Sequence, residues 1–146
     1  MVKGIKSASK KQQNLNEQFL GSFLELDGLC CKRFNVTANG ITEYINRLNN
    51  AKYAPNREEV LQKLVNYRNI RNRFAHEPWY LRTATELTKE DVQWVTAFTK
   101  DFKKEKDPIA AYLAEAKKYA KKHPLKMKKL EKEQKKAAKL AAKKAK

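Results

Sequence analysis

The chain has 146 residues, of which 33 are lysine or arginine and 16 are aspartate or glutamate, so its formal net charge at pH 7 is +17. Because 41% of the residues are hydrophobic and 10% are aromatic, the chain can bury a core, which excludes a wholly disordered protein. The length predicts one compact domain.

Neither a membrane span nor a secretion signal is expected. No apolar run approaches the roughly eighteen residues that a span requires, and residues 1–11 contain no apolar segment of the kind that a signal peptide carries. Cys30 and Cys31 are adjacent, and a bridge between neighbours is strained, so a disulfide framework is excluded. We therefore expect a cytoplasmic protein with no membrane contact.

Apolar spacing, caps and prolines predict five helices in chain order. The third helix ends before Pro78, because a residue that precedes proline is pushed out of the helical region. Thr88 followed by Asp91 is typical of a capped helix start, and Asp107-Pro108 repeats the signal of a cap followed by proline. The helices span residues 14–34, 35–50 and 57–76, and then begin after Thr88 and after Asp107, the last one ending at His123-Pro124.

The C-terminal part of the chain differs in composition from the rest. Residues 117–146 hold fourteen lysines against two glutamates. Lysine and alanine favour helix, but the apolar stripe is too narrow to hold this segment firmly on a core. We predict an all-α fold, a compact bundle of about five helices, organised as a flexible N-terminus (1–13), a helical domain (14–122) and a basic, helix-prone tail (123–146).

The sequence offers few residues for metal binding, nucleotide binding or nucleophilic catalysis. The two histidines, His76 and His123, are far apart in sequence and have no acidic or cysteine cluster near them, so we expect no metal site. The four glycines form no nucleotide-binding motif, and we expect no cofactor. Cys30 or Cys31 is a conceivable nucleophile, but on an amphipathic helix both are more typical of small buried hydrophobes.

The third predicted helix carries charge where a core is expected. On a wheel at about 100° per residue, its apolar arc also takes in Arg68, Arg71 and Asn72, whereas Ile70 falls on the solvated face. Unpaired buried charge costs several kcal/mol, so some group must compensate it. One interpretation is structural, with these arginines paired to Glu25 or Asp27 of the first helix. The other is that the arginines face a phosphate in a cleft or a subunit interface.

The end of the same helix reads Arg71-Asn72-Arg73-Phe74-Ala75-His76, which has the form R-N-x-x-x-H. This segment resembles the signature of the HEPN superfamily, α-helical domains that include many metal-independent ribonucleases. The resemblance is carried by residues 67–80, where the motif closes a long helix and Trp79-Tyr80 follows it. It implies a helical domain that cleaves RNA.

The motif residues suit such a reaction. RNA is cleaved when its 2′-hydroxyl attacks the adjacent phosphorus, leaving a 2′,3′-cyclic phosphate. Histidine titrates near neutrality, so we assign proton transfer to His76. A guanidinium matches two phosphate oxygens and stays charged, so we assign charge stabilisation to Arg71. Asn72 is one helical turn before His76 and is placed to orient the imidazole or to contact the phosphate.

Arg71 and His76 are about 140° apart on an ideal helix, so one copy points them in different directions. The resemblance implies a homodimer in which the two motif helices form one composite cleft. It also implies a role as a toxin or phage-defence effector, with an antitoxin or regulatory protein as a possible partner.

Further residues are candidate RNA contacts. Arg68 is a candidate phosphate ligand or a member of a structural ion pair, and Arg73 contributes general positive charge. Trp79 and Tyr80 either stack on a base or cover the end of the core. If about six tail lysines meet phosphates, affinity should fall by about three decades between low and moderate salt. The candidate lysines are Lys128, Lys129, Lys135, Lys136, Lys139, Lys143 and Lys144.

Two other functions compete with the ribonuclease. The first is a HEPN-like scaffold module that binds RNA or another nucleic acid without catalysis. The second is a basic DNA-binding protein in which the tail makes the contacts and the motif is structural.

Overall fold

The computed structural model describes residues 7–144, apart from the side chains of Met127 and of residues 141–144. Within that range it contains helices and no strand, which confirms the all-α fold class. The elements are α1 Lys10–Phe34, α2 Gly40–Asn50, α3 Arg57–His76, α4 Tyr80–Thr83, α5 Lys89–Lys103, α6 Pro108–Lys122 and α7 Pro124–Lys144. The predicted helices correspond to α1, α2, α3, α5 and α6, and the helix-prone tail forms α7.

The first two helices begin at other residues than predicted. The Ser9 hydroxyl accepts a 3.1 Å hydrogen bond from the Gln12 backbone N–H, so α1 already begins at Lys10. Residues 10–13, expected to be flexible, are therefore helical, whereas residues 1–6 of that predicted segment lie outside the described residues. Asn35 and Asn39 have left-handed φ angles of 54° and 57°, which separates α1 from α2 and moves the start of α2 to Gly40.

The starts of α5 and α6 agree with their sequence signals. Thr88 and Asp91 form a complete capping box, in which each side chain bonds the backbone N–H of the other residue. Asp107 precedes Pro108, and its backbone carbonyl accepts the first helical hydrogen bond, from Ala111. Local capping chemistry therefore fixes both helix starts.

The core is built around α1, which packs against α2, α3, α4 and α5. Phe19 of α1 is completely buried, and its ring centroid lies 5.4 Å from that of Tyr67 and 6.3 Å from that of Phe74, both on α3. Burial of each such side chain stabilises the fold by about 1.5–3 kcal/mol. These contacts fix the rotation of α3 and hence the directions of its polar residues.

The described chain divides into two compact units. The first runs to Ala111 and the second begins at Tyr112, inside α6. The sequence places the corresponding boundary later, between residues 122 and 123. In the second unit the rings of Tyr119 and His123 are in contact, with centroids 4.4 Å apart.

Among the residues that the structure describes, no helix is both long enough and apolar enough to cross a bilayer.

Candidate functional site

The face of α3 that enters the core differs from the predicted one. Ile70, placed by the wheel on the solvated side, is only 7% exposed, whereas Arg68 is half-buried and Asn72 is exposed. The predicted orientation of α3, with Arg68 and Asn72 on the inward arc and Ile70 on the solvated face, is therefore wrong. The buried residues of α3 are Val60, Leu64, Tyr67, Ile70 and Phe74. Contact with the aromatic residues of α1 selects this face over the one that carries Leu61 and Val65.

The rotation of α3 brings Arg68, Arg71 and Asn72 to the wall of a surface pocket of about 320 Å³. The pocket lies where α1, the start of α2 and the C-terminal half of α3 meet. We name these three residues together with Asp27, Asn39 and Thr42 the arginine pocket. With Asn69, Phe23 and Ile41, which also line it, this concave surface presents two guanidinium groups, three amides, a hydroxyl, a carboxylate and two apolar side chains. Asp27 was named from the sequence as a candidate ion-pair partner of the arginines, whereas Asn39 and Thr42 carry no sequence signal, because only tertiary packing brings them to α3.

The expected ion pairs between these arginines and α1 are not formed. Asp27 uses its carboxylate to accept a 2.9 Å hydrogen bond from the backbone N–H of Ile41, in the first turn of α2. Glu25 instead pairs with Lys103 at 3.0 Å. Within residues 7–144, neither Arg68 nor Arg71 has a side-chain hydrogen bond or ion pair. Both guanidinium groups therefore keep their donors for a ligand.

His76 lies outside this pocket in a single copy of the chain. It is the last residue of α3 and is exposed, as is Asn72. On an ideal helix His76 is about 7.5 Å further along the axis than Arg71 and about 140° around it. Among the described residues, no side-chain hydrogen bond joins Asn72 to His76. The imidazole is thus open to solvent and to any molecule that docks at this end of α3.

Arg73 and Tyr80 are engaged within the protein. The Arg73 guanidinium donates a 3.1 Å hydrogen bond to Glu77 and lies 3.7 Å above the Tyr80 ring. Tyr80 is 7% exposed, and its ring centroid is 5.2 Å from that of Phe74. A covered ring cannot stack on a base, so the structure corrects the assignment of Tyr80 as an RNA contact to a core residue. Trp79 is 54% exposed and remains a candidate.

The cysteines differ in accessibility. Cys30 is buried, and this burial, reinforced by the charge of Asp27, raises the pKa of its thiol to about 12. A thiol with so high a pKa forms almost no thiolate near neutrality and is a poor nucleophile. Cys31 is half-buried. In the part of the chain that the structure describes, no three His, Cys, Asp or Glu side chains form a group that could hold a metal ion.

The candidate lysines of the tail lie on α7. Their described side chains are exposed, as a contact surface for a polyanion requires. Lys143 and Lys144 belong to the same helix, but their side chains lie outside those that the structure describes. Lys132 was not among the lysines named from the sequence, but its side chain is exposed on α7 like those of Lys128, Lys129, Lys135, Lys136 and Lys139.

A larger groove, of about 900 Å³, runs along the N-terminal half of α3 beside Asn49. It is lined by Glu58, Glu59 and Lys63 together with amide side chains, and the motif residues are not part of it. The two carboxylates of this lining outnumber its single ammonium group, which makes it less suited to a phosphate than the arginine pocket, where two guanidinium groups outnumber one carboxylate.

Comparison with known proteins identifies a family. The model of that family matches residues 17–146, which is most of the chain. No curated protein and no solved structure matches the chain. The chain therefore belongs to the family described as "Family of unknown function (DUF6548)".

Proposed function

We propose that this protein is a HEPN-like, metal-independent endoribonuclease, which cleaves RNA through attack of the 2′-hydroxyl on the adjacent phosphorus. The observation that carries the proposal is the arginine pocket, where Arg68 and Arg71 have no ion-pair partner among the described residues. Guanidinium groups in such a concave surface match the oxygens of a phosphodiester. The R-N-x-x-x-H resemblance supplies the reaction class.

The reaction needs proton transfer and charge stabilisation. The 2′-oxygen forms a bond to phosphorus, the bond from phosphorus to the 5′-oxygen breaks, and the 2′-proton leaves while the 5′-oxygen gains one. His76 accepts the first proton or donates the second. Arg71 stabilises the negative charge that accumulates on the phosphorane oxygens, and Arg68 holds the phosphate from the same wall of the pocket. Asn72 contacts the phosphate or orients the imidazole.

A second copy of the chain completes the proposed site. Since His76 lies outside the arginine pocket of its own copy, the imidazole of one protomer serves the phosphate held by the other when two α3 helices face each other. A two-fold axis through such an interface makes both sites equivalent. The basic tail, with its exposed lysines, keeps RNA close to this cleft. A role as a toxin or phage-defence effector, restrained by an antitoxin or regulatory protein, belongs to the same proposal.

The experiment is cleavage of end-labelled RNA by the purified protein in EDTA. We expect products ending in 2′,3′-cyclic phosphate, and we expect Arg71→Ala or His76→Ala to lower the rate by about 10²–10⁴-fold. Arg82→Ala is the matched control, because it also removes one guanidinium, from an exposed position on α4. Absence of cleavage by the folded wild-type protein, or cleavage that both motif variants retain, contradicts the proposal.

RNA binding without catalysis is the second candidate function. The observation that favours it is the position of His76 outside the arginine pocket, which leaves one copy with a phosphate site but no proton-transfer group. In that case wild-type protein binds RNA through the arginine pocket but leaves it intact. If deletion of residues 124–146 removes all nucleic-acid binding and duplex DNA competes as well as RNA, the tail-dependent DNA-binding function is favoured instead.

A further inference from the structure

Of the seven lysines of α7 whose side chains the structure describes, six lie on one side of the helix. At about 100° per residue these six lie within about 60° of the direction of Lys132, whereas Lys126 points about 120° away and Glu131 and Glu133 point about 100° away on either side. The acidic residues therefore flank the cationic surface without interrupting it. We name this surface the lysine face, which consists of Lys128, Lys129, Lys132, Lys135, Lys136 and Lys139.

The lysine face has no internal partner. All six side chains are exposed, and none forms an ion pair or a side-chain hydrogen bond with another described residue. From Lys128 to Lys139 the helix rises by about 16 Å, so the ammonium groups form a strip of single sign. Such a strip is repulsive in isolation and is stabilised when a polyanion replaces the surrounding counterions.

The chemistry of the face favours phosphates over bases. Lysine ends in a compact ammonium without the planar fork with which arginine reads guanine, and the face carries no asparagine, glutamine or aromatic ring. A membrane surface fits less well, because binding there requires a bulky apolar face opposite the charge. The leucines of α7 do not form one, since Leu125, Leu130 and Leu140 point in three different directions around the helix.

We propose that α7 binds the phosphate backbone of RNA as a formed helix, through this one face, and not as a chain whose total charge alone matters. The inference shares its partner, RNA, with the proposed function, but it concerns binding and requires no cleavage. The predicted contact is independent of base sequence.

The test distinguishes the arrangement of the lysines around α7 from their number. The permuted variant carries four substitutions in residues 132–135, Lys132→Glu, Glu133→Lys, Gln134→Lys and Lys135→Gln. It keeps the amino-acid composition and the net charge of the chain, but it moves two lysines off the lysine face and puts a glutamate at the centre of that face. The matched control exchanges two residues off the face, Glu133→Gln with Gln134→Glu. A milder variant, Lys136→Ala with Ala137→Lys, moves one lysine off the face between two good helix formers.

The probe is a fluorescein-labelled, single-stranded 2′-O-methyl RNA, measured by anisotropy with the full-length protein over a salt series. For single strands each phosphate contact contributes about 0.7 to the slope of log K against log salt, or about fivefold in affinity near 0.1 M salt. We expect the permuted variant to bind at least about tenfold more weakly, the single exchange about fivefold more weakly, and the control like wild type. Circular dichroism verifies the helix content of each variant.

Equal affinity of all variants would overturn the inference, since total charge would then account for binding. Tighter binding of the wild-type protein to phosphatidylserine vesicles than to the RNA probe would overturn it in favour of a membrane surface. The probe lacks the 2′-hydroxyl, so it cannot be cleaved by the proposed mechanism. Failure of the ribonuclease proposal therefore leaves this binding result unaffected, and failure of the binding inference leaves the cleavage assay unaffected.

Discussion

The hydroxyl of Tyr44 on α2 donates a 2.7 Å hydrogen bond to the carboxylate of Asp107, which is 1% exposed and caps α6. Arg33 of α1 completes the network with hydrogen bonds of 3.0 and 2.9 Å to the two carboxylate oxygens. Burial, together with the negative charge of Asp107, raises the pKa of Tyr44 far above its ordinary value, so the phenol remains a donor. Three helices are thereby joined at one buried carboxylate.

Removing the cation from this network should destabilise the fold strongly. Arg33→Met leaves the Asp107 charge buried without its ion-pair partner, and we expect a loss of about 3 kcal/mol in the free energy of unfolding, measured with urea. Tyr44→Phe should cost about 1–2 kcal/mol, because the arginine still compensates the carboxylate. The control is Arg47→Met, which breaks an exposed pair with Glu43 and should cost less than about 1 kcal/mol. Equal losses for the two arginine variants would contradict a stabilising role for the buried pair.

Two glycines should respond in opposite directions to alanine. A Cβ on Gly40 would lie 2.6 Å from the backbone nitrogen of Cys31 and closer still to the carbonyl oxygen of Asp27, so Gly40→Ala must push α2 away from α1. We expect a loss of about 1–3 kcal/mol. Gly28 on α1 has nothing within 4 Å of its Cβ position, so Gly28→Ala should raise stability by about 0.5–1 kcal/mol. Thermal unfolding of both variants measures these opposite changes in stability. A Gly40→Ala protein as stable as wild type would contradict the close packing of α2 on α1.

Stability should fall at acid pH through Asp91. Burial raises the pKa of this carboxyl, but hydrogen bonds from Thr88 and from the Tyr67 hydroxyl, at 2.7 Å, lower it more, and the net pKa lies below the ordinary value. Because the folded pKa is depressed, the stabilisation is present above the pKa of the unfolded state, about 4, and is lost as pH falls through the folded pKa.

Asp91→Asn should therefore reduce the difference in unfolding free energy between neutral and acid pH. Glu90→Gln, which neutralises an exposed carboxylate in the same turn, is the control and should change this difference less. The measurement is urea denaturation of each variant at several pH values. If Asp91→Asn retains the full wild-type pH dependence, the network around Asp91 does not cause it.

Mixing two inactive proteins tests the composite cleft. Arg71→Ala retains His76, and His76→Ala retains Arg71, so a mixed dimer contains one complete pair contributed by different copies. We expect partial recovery of RNA cleavage when the variants are unfolded and refolded together, measured against each variant alone. A mixture of Arg71→Ala with an Arg71→Ala/His76→Ala double variant is the control and should stay inactive. Lack of recovery despite verified exchange of protomers would contradict a site shared between copies.

Local sequence signals predicted most of the helical layout. The Thr88-Asp91 capping box, Asp107-Pro108 and the proline after Glu77 act through neighbours a few residues away, so the starts of α5 and α6 and the end of α3 follow from the chain alone. The start of α2 was missed, because the left-handed conformations of Asn35 and Asn39, which separate α1 from α2, do not appear in the apolar spacing.

The orientation of the candidate-site residues could not be predicted from local signals. The candidate motif Arg71, Asn72 and His76 was identified from its spacing, but apolar residues lie on both sides of α3, and the wheel chose the wrong inward face, with Ile70 on the solvated side. Contacts of α3 with Phe19 decided it, and they brought Asp27 and Thr42 to the arginines.

What the sequence determined by itself is thus the helical class and most helix ends, because these depend on interactions within a few positions along the chain. What only the tertiary structure decided is which face of α3 is buried, that Asp27 caps α2 and leaves the arginines unpaired, and that Tyr80 is covered. These outcomes depend on packing between residues distant in sequence, and no local pattern encodes the rotation of one helix against another.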